Sequence, residues 1–204
     1  MQGKFITLEG IEGSGKSTNL VTIKSILDQY KIDYVLTREP GGGPLGPHLR
    51  KLLLDKDQSI SPSVEMLLMM ADRKDHVDNL IIPNLDKGIW VISDRYLDST
   101  IAYQGGGRQL DINLITSLSV SLKLPTPDFT LLFDLPVDVA LERAKERSEL
   151  DRFEREPLDF HSRIRESYLE LASTNHRIKT IDSSKDFESV SLQVENYLTE
   201  FLNA

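Results

Sequence analysis

The 204-residue sequence contains no cysteine, which excludes a disulfide framework, a thiolate metal site and a thiol nucleophile. No apolar run approaches the length of a bilayer span, and the amino terminus lacks the pattern of a secretory leader. There is no excess of positive charge either. With 24 Lys and Arg against 32 Asp and Glu the formal net charge is −8, the wrong sign for the basic field of a nucleic-acid-binding domain. The four histidines, His48, His76, His161 and His176, have no metal-ligand spacing. The expectation is a cytoplasmic protein with neither a membrane nor a nucleic acid as partner.

Hydrophobic content of 39% and charged content of 27% are those of a globular chain able to bury a core. Apolar strand-like runs recur at 4–9, 33–37, 89–93, 129–133 and 178–181, separated by helical patterns. Strands alternating with helices predict a parallel sheet covered on both faces, an α/β architecture. A helix over 61–86 has a clear start, Ser61 as N-cap and Pro62 at the first helical position. Another is expected after Asp134-Leu135-Pro136. No linker, repeat or low-complexity tract divides the chain.

The residues with chemistry begin at the first strand. Gly10, Ile11, Glu12, Gly13, Ser14, Gly15, Lys16 and Ser17 fit G-x-x-x-x-G-K-[ST] at each fixed position, after a strand and before a helix. Glycines let successive backbone N–H groups turn inward onto phosphate oxygens, and the helix that follows adds its positive end. Lys16 supplies a charge for the β- and γ-phosphates, and Ser17 a hydroxyl for magnesium. The motif predicts an NTP site, and the reaction is left open by it.

In open α/β sheets ligands sit beyond the carboxyl ends of the strands. Those ends carry Glu9, Thr37-Arg38-Glu39-Pro40, Ser93-Asp94-Arg95-Tyr96 and Asp134. Asp94 can orient magnesium through water or pair with Arg38 or Arg95, and sequence does not separate these roles. Arg95 suits bidentate clamping of an acceptor phosphate. Glu12 puts negative charge inside a phosphate loop, so it needs either a separate job or a solvent-facing position. Met69 and Arg73 share a helix face at i, i+4, although the Met-rich stretch also reads as core.

The segments Glu9–Thr18, Thr37–Gly42, Asp94–Ser99 and Ala102–Arg108 together resemble the thymidylate kinase family, bacterial type. The stretch Glu149–Glu154 with Phe160 is similar to the family's lid. The likeness runs from the first strand to about Asp182. It implies a P-loop NTPase-type three-layer fold, a five-stranded parallel sheet flanked by helices, as one nucleoside-monophosphate-kinase domain over 1–204 with a lid at about 146–157. It also implies phosphoryl transfer from ATP to dTMP with Mg2+, and a homodimer.

Residue by residue, the resemblance implies ATP contacts from Gly10 to Thr18 and from Arg147, with Ser17 and Asp94 at the magnesium. For dTMP it implies Arg38, Arg50 and Arg95 at the phosphate, Glu12 at the sugar 3′-hydroxyl, and Tyr103 against the 2′ position. Arg73, Ser99, Thr100 and Gln104 belong to the base region. Met69 departs from the pattern, because relatives carry a stacking phenylalanine there. The catalytic set implied is Lys16, Arg95, Asp94, Glu12 and Arg152. The phosphate loop has no arginine, so a lid cation is needed, and Arg152 is the expected transition-state residue. Arg50 and Arg147 also read as solvated helix arginines. A switch GTPase would need N-K-x-D and D-x-x-G, which are absent; another nucleoside-monophosphate kinase and a non-catalytic phosphate-loop module are the remaining alternatives.

Overall fold

The computed structural model describes residues 3–147 and 151–203, the side chain of Arg147 excepted. Part of the expected lid, at 148–150, and the side-chain role expected of Arg147 therefore lie outside the described residues.

Five parallel strands form one sheet in the order β2-β3-β1-β4-β5. They are β1 (Phe5–Glu9), β2 (Tyr34–Arg38), β3 (Trp90–Asp94), β4 (Phe129–Asp134) and β5 (Ile178–Asp182). All of β1 is buried, and β4 is buried up to its last residue, as parallel strands covered on both faces must be. Alternation then divides the core. Ile6, Leu8, Leu131 and Phe133 face the layer of α1 (Lys16–Gln29) and α9 (Phe187–Asn203). Phe5 and Leu132 face the opposite layer, with Tyr96 and Ile164 among their neighbours.

That second layer holds most of the chain between the strands. It contains α2 (Gly46–Leu54), α3 (Pro62–His76), α5 (Leu97–Thr100), α6 (Ile112–Ser121), α7 (Val137–Arg147) and α8 (Leu158–Thr174). The helix expected over 61–86 is α3, a π-helical turn at Val77–Ile81, and α4 (Ile82–Leu85). Ser61 occupies the N-cap, yet its side chain makes no capping bond; its carbonyl receives the amide of Glu65.

Two features of this layer position the site. A second π-helical segment, Ile101–Gly107, follows α5 directly and turns Tyr103 and Gln104 inward. It lies so close to α8 that a Cβ on Gly107 would sit 2.6 Å from the Phe160 ring, which only glycine allows. The strand ends gather at one edge, with Arg38 beside Asp94 and Asp134 beside Asp182 in the ladders.

Candidate active site

The loop between β1 and α1 wraps around its own lysine. Gly13 has φ +74, and a Cβ there would meet the Ala140 carbonyl at 2.1 Å, so the bend needs glycine. Lys16 Nζ donates to the carbonyls of Gly10 and Ile11, both at 2.9 Å, and to Ser14 Oγ at 3.1 Å. Burial, joined by the charge of Arg95, lowers its pKa from 10.5 to about 8. Ser17 Oγ donates to Asp94 Oδ2 at 3.2 Å, while the other Asp94 oxygen is buried without a hydrogen-bond partner. An acceptor oxygen left over beside a helix-terminal hydroxyl is what a hydrated cation would use.

Arg95 stands at the centre. One nitrogen donates to the Gly10 carbonyl at 2.8 Å and to Ser99 Oγ and the Tyr168 hydroxyl, both at 3.2 Å. The other donates to Glu12 Oε1 at 2.5 Å and the Tyr103 hydroxyl at 3.1 Å. Burial works against its charge, but Glu12, both tyrosines and Asp94 more than offset this, and its pKa lies well above the usual arginine value. Glu12, the unexpected acid of the phosphate loop, therefore faces the site.

Further along, Arg73 is almost fully buried with each guanidinium nitrogen engaged. Nε donates to Glu39 at 2.7 Å, and the terminal nitrogens to Thr100 Oγ1 and the Tyr96 carbonyl, both at 2.9 Å. Glu39 also holds His76 Nδ1 at 2.8 Å, and the Glu39–Pro40 bond is cis. Arg38 and Arg50 are close enough for their charges to repel: burial first, then Arg38, lowers the Arg50 pKa. Arg50 donates to the Pro40 carbonyl at 2.8 Å. Cations crowded this way are stabilised by an anion among them.

These groups share one cavity of about 670 Å³. Of the residues expected at the site, Glu12 to Thr18, Arg38, Arg50, Met69, Arg73, Asp94, Arg95, Ser99, Thr100, Tyr103 and Gln104 all line it. Gly10 and Ile11 contribute through the carbonyls that hold Lys16. Met69 lines the cavity together with Leu54, Tyr103 and Phe153.

Arg152 is placed otherwise. It is not among the cavity-lining residues. Its Nε donates to the Leu53 carbonyl at 2.9 Å, one terminal nitrogen to Glu65 Oε2 at 2.6 Å, and the other is buried without a partner. In this conformation it ties the segment after the undescribed residues to α2 and α3 rather than facing the phosphate loop.

Five residues escape motif reading. Glu65 is fully buried and accepts from Gln104, Arg108 and Arg152. The signal was present, since Glu65, Met69 and Arg73 form one i, i+4, i+8 stripe. Tyr168 lies in the stripe Phe160, Ile164, Tyr168, whose spacing reads as core. Arg143, Lys185 and Phe187 extend the cavity past the phosphate loop, and nothing in their spacing marks them.

Fold and site together define a phosphate-loop α/β protein whose cavity also gathers Arg38, Arg50, Arg73 and Arg95 opposite the loop. The thymidylate kinase family model matches residues 8–194. A thymidylate kinase of Carboxydothermus hydrogenoformans is 49% identical over 199 residues, covering 97% of this chain and 98% of that protein. One from a Marinomonas species is 44% identical over 207 residues, covering 100% and 98%. The crystal structure of thymidylate kinase from Ehrlichia chaffeensis superposes with a TM-score of 0.79 at 34% identity, covering 98% of this chain and 99% of that one. The chain belongs to the thymidylate kinase family.

The depressed Lys16 pKa has a sign that can be read. Between about pH 8 and 10.5 the unfolded chain holds this proton and the folded one does not, so this group makes stability rise with pH in that window. Nucleotide phosphates restore the charge. Calorimetry of MgATP binding at about pH 9, in buffers of different ionisation enthalpy, is therefore expected to show uptake of nearly one proton, and none from this group at about pH 7. Equal proton balance at both pH values would contradict it.

Proposed function

We propose that the protein transfers the γ-phosphoryl group of ATP to dTMP, giving dTDP and ADP. The observation that carries this reading is the double engagement of Arg95, which bonds the phosphate-loop carbonyl of Gly10 and the acceptor-side groups Glu12, Ser99 and Tyr103. A cation shared by the two sides suits the point where two phosphates meet.

In this reading the backbone amides from Gly13 to Thr18 and the start of α1 hold the ATP phosphates, and Lys16 exchanges its carbonyl partners for their oxygens. Arg38, Arg50 and Arg95 hold the dTMP phosphate in line. The acceptor monoester is dianionic at neutral pH, its second pKa being about 6, so no general base is required. Catalysis is positioning and charge stabilisation. Glu12 takes the sugar 3′-hydroxyl, Tyr103 crowds the 2′ position, and Arg73, Thr100 and Gln104 read the base over Met69. Arg143, Lys185 and Phe187 extend the donor end toward the adenine.

Ser17 and Asp94 fit a magnesium ion, because the buried Asp94 oxygen without a partner suits hydrogen bonding to the ion's water. When bound, the ion offsets charge on the β- and γ-phosphates. A homodimer is supported by the apolar side chains of Val64 and Leu67 on α3 and Leu114 and Val120 on α6, all exposed. No described helix is long and apolar enough to cross a membrane, in keeping with a cytoplasmic nucleotide kinase.

ADP release measured with dTMP, dUMP, UMP, CMP, GMP and AMP in turn is expected to be fastest with dTMP. Turnover only with a purine acceptor would overturn the assignment, and none with any acceptor would favour a binding module. The transition-state role of Arg152 requires its guanidinium to exchange Glu65 for the transferring group. Arg152→Ala is then expected to lower kcat about tenfold more than it weakens ATP binding. Equal losses would make Arg152 an anchor of the lid segment.

A further inference from the structure

Arg95 adopts φ +74, a left-handed conformation that a side chain seldom takes without external support. Three bonds impose it. Its amide donates to the Leu8 carbonyl at 2.9 Å, and its carbonyl accepts from Ser93 Oγ at 2.7 Å. The next amide, of Tyr96, donates to Glu9 Oε1 at 2.8 Å. The turn stops β3 and directs the guanidinium back across the loop between β1 and α1.

The second oxygen of Glu9 serves the other end of the same residue. It accepts from Ser99 Oγ at 2.5 Å and from the Tyr168 hydroxyl at 3.2 Å. The Ser99 and Tyr168 oxygens, 2.7 Å apart, are two of the three acceptors for Arg95 Nη1, the Gly10 carbonyl being the third. The polarity of the chain of bonds follows from chemistry. Where Glu9 is ionised it only accepts, so the Ser99 proton turns toward it. The Tyr168 proton fills the 2.7 Å contact to Ser99 Oγ, and lone pairs of both oxygens are left for the guanidinium. Glu9 is 1% exposed, and burial, with Asp98 beside it, raises its pKa. A buried carboxylate at the end of the central strand is an expensive choice for packing alone.

We propose that Glu9 is a positioning residue for phosphoryl transfer, holding the backbone of Arg95 with one oxygen and orienting its guanidinium through Ser99 and Tyr168 with the other. The inference rests on Arg95 standing between donor and acceptor phosphates, as in the function proposed above. It predicts a loss confined to what Arg95 does.

Glu9→Gln keeps the shape but places an N–H donor against Ser99 Oγ, turning the Ser99 proton away from residue 9 and toward Arg95. It is expected to lower kcat/KM for dTMP about tenfold or more while the KM for MgATP changes less than about threefold. The decisive measurement is a double-mutant cycle with Arg95→Ala. Glu9→Gln should cost little once Arg95 is gone. The same fold-loss in both backgrounds, or a loss shared equally by MgATP binding, would overturn the inference. Should Glu9→Gln fail to fold, Ser99→Ala combined with Tyr168→Phe removes the relay with the carboxylate intact, and the same non-additivity with Arg95→Ala is expected. Wild-type enzyme without dTMP turnover would instead overturn the function on which the inference stands.

Discussion

Two polyanions can share one cleft only if a cation stands between them, and that cation must be held there against burial and against its like-charged neighbours. In the proposed function Arg95 meets this constraint, held by Gly10, Glu12, Tyr103, Tyr168 and Ser99. Much of the surrounding structure serves that arrangement. The sheet order puts β3 next to β1, so the residue after Asp94 meets the loop after Glu9. The π-helical segment Ile101–Gly107 brings in Tyr103, and its glycines let α8 come close enough to add Tyr168. Charge repulsion between Arg38 and Arg50, and the lowered pKa of Lys16, belong to the same economy: cations are gathered beyond what the protein neutralises by itself.

Much of this was legible in the sequence. The strands expected at 33–37 and 89–93 are Tyr34–Arg38 and Trp90–Asp94. At four strands the expected run stops one residue short, before a charged residue, whereas the ladder continues through it, pairing Arg38 with Asp94 and Asp134 with Asp182. The residues clipped in this way are those at the ligand edge. Motif residues were found because a phosphate loop demands particular backbone and charge at fixed spacing. Arg73 and Met69 were found through the family resemblance, and helix periodicity agrees in placing them on one face.

What stayed hidden depends on contacts between segments far apart in the chain. Tyr168 obeys the spacing of a core residue and is one, except for its hydroxyl. Glu65 shares a helix stripe with Met69 and Arg73, but its partners come from 104, 108 and 152. Arg152 shows the converse. Its segment resembles a lid and its charge suits a phosphate, yet a buried carboxylate and the Leu53 carbonyl hold it at the acceptor-side helices. Local sequence sets what a side chain can bond, and tertiary competition decides what it does bond.

The central claim is that donor and acceptor phosphates are held together in one cavity and that the phosphoryl group passes directly between them. The most direct measurement is the stereochemical course at phosphorus, using ATP made chiral at the γ-position with sulfur and oxygen isotopes and dTMP as acceptor. A single in-line displacement inverts the configuration, and inversion is the result predicted. Retention would require an even number of displacements, hence a phosphorylated side chain as intermediate, and would contradict an active site whose cations serve to bring two substrates face to face.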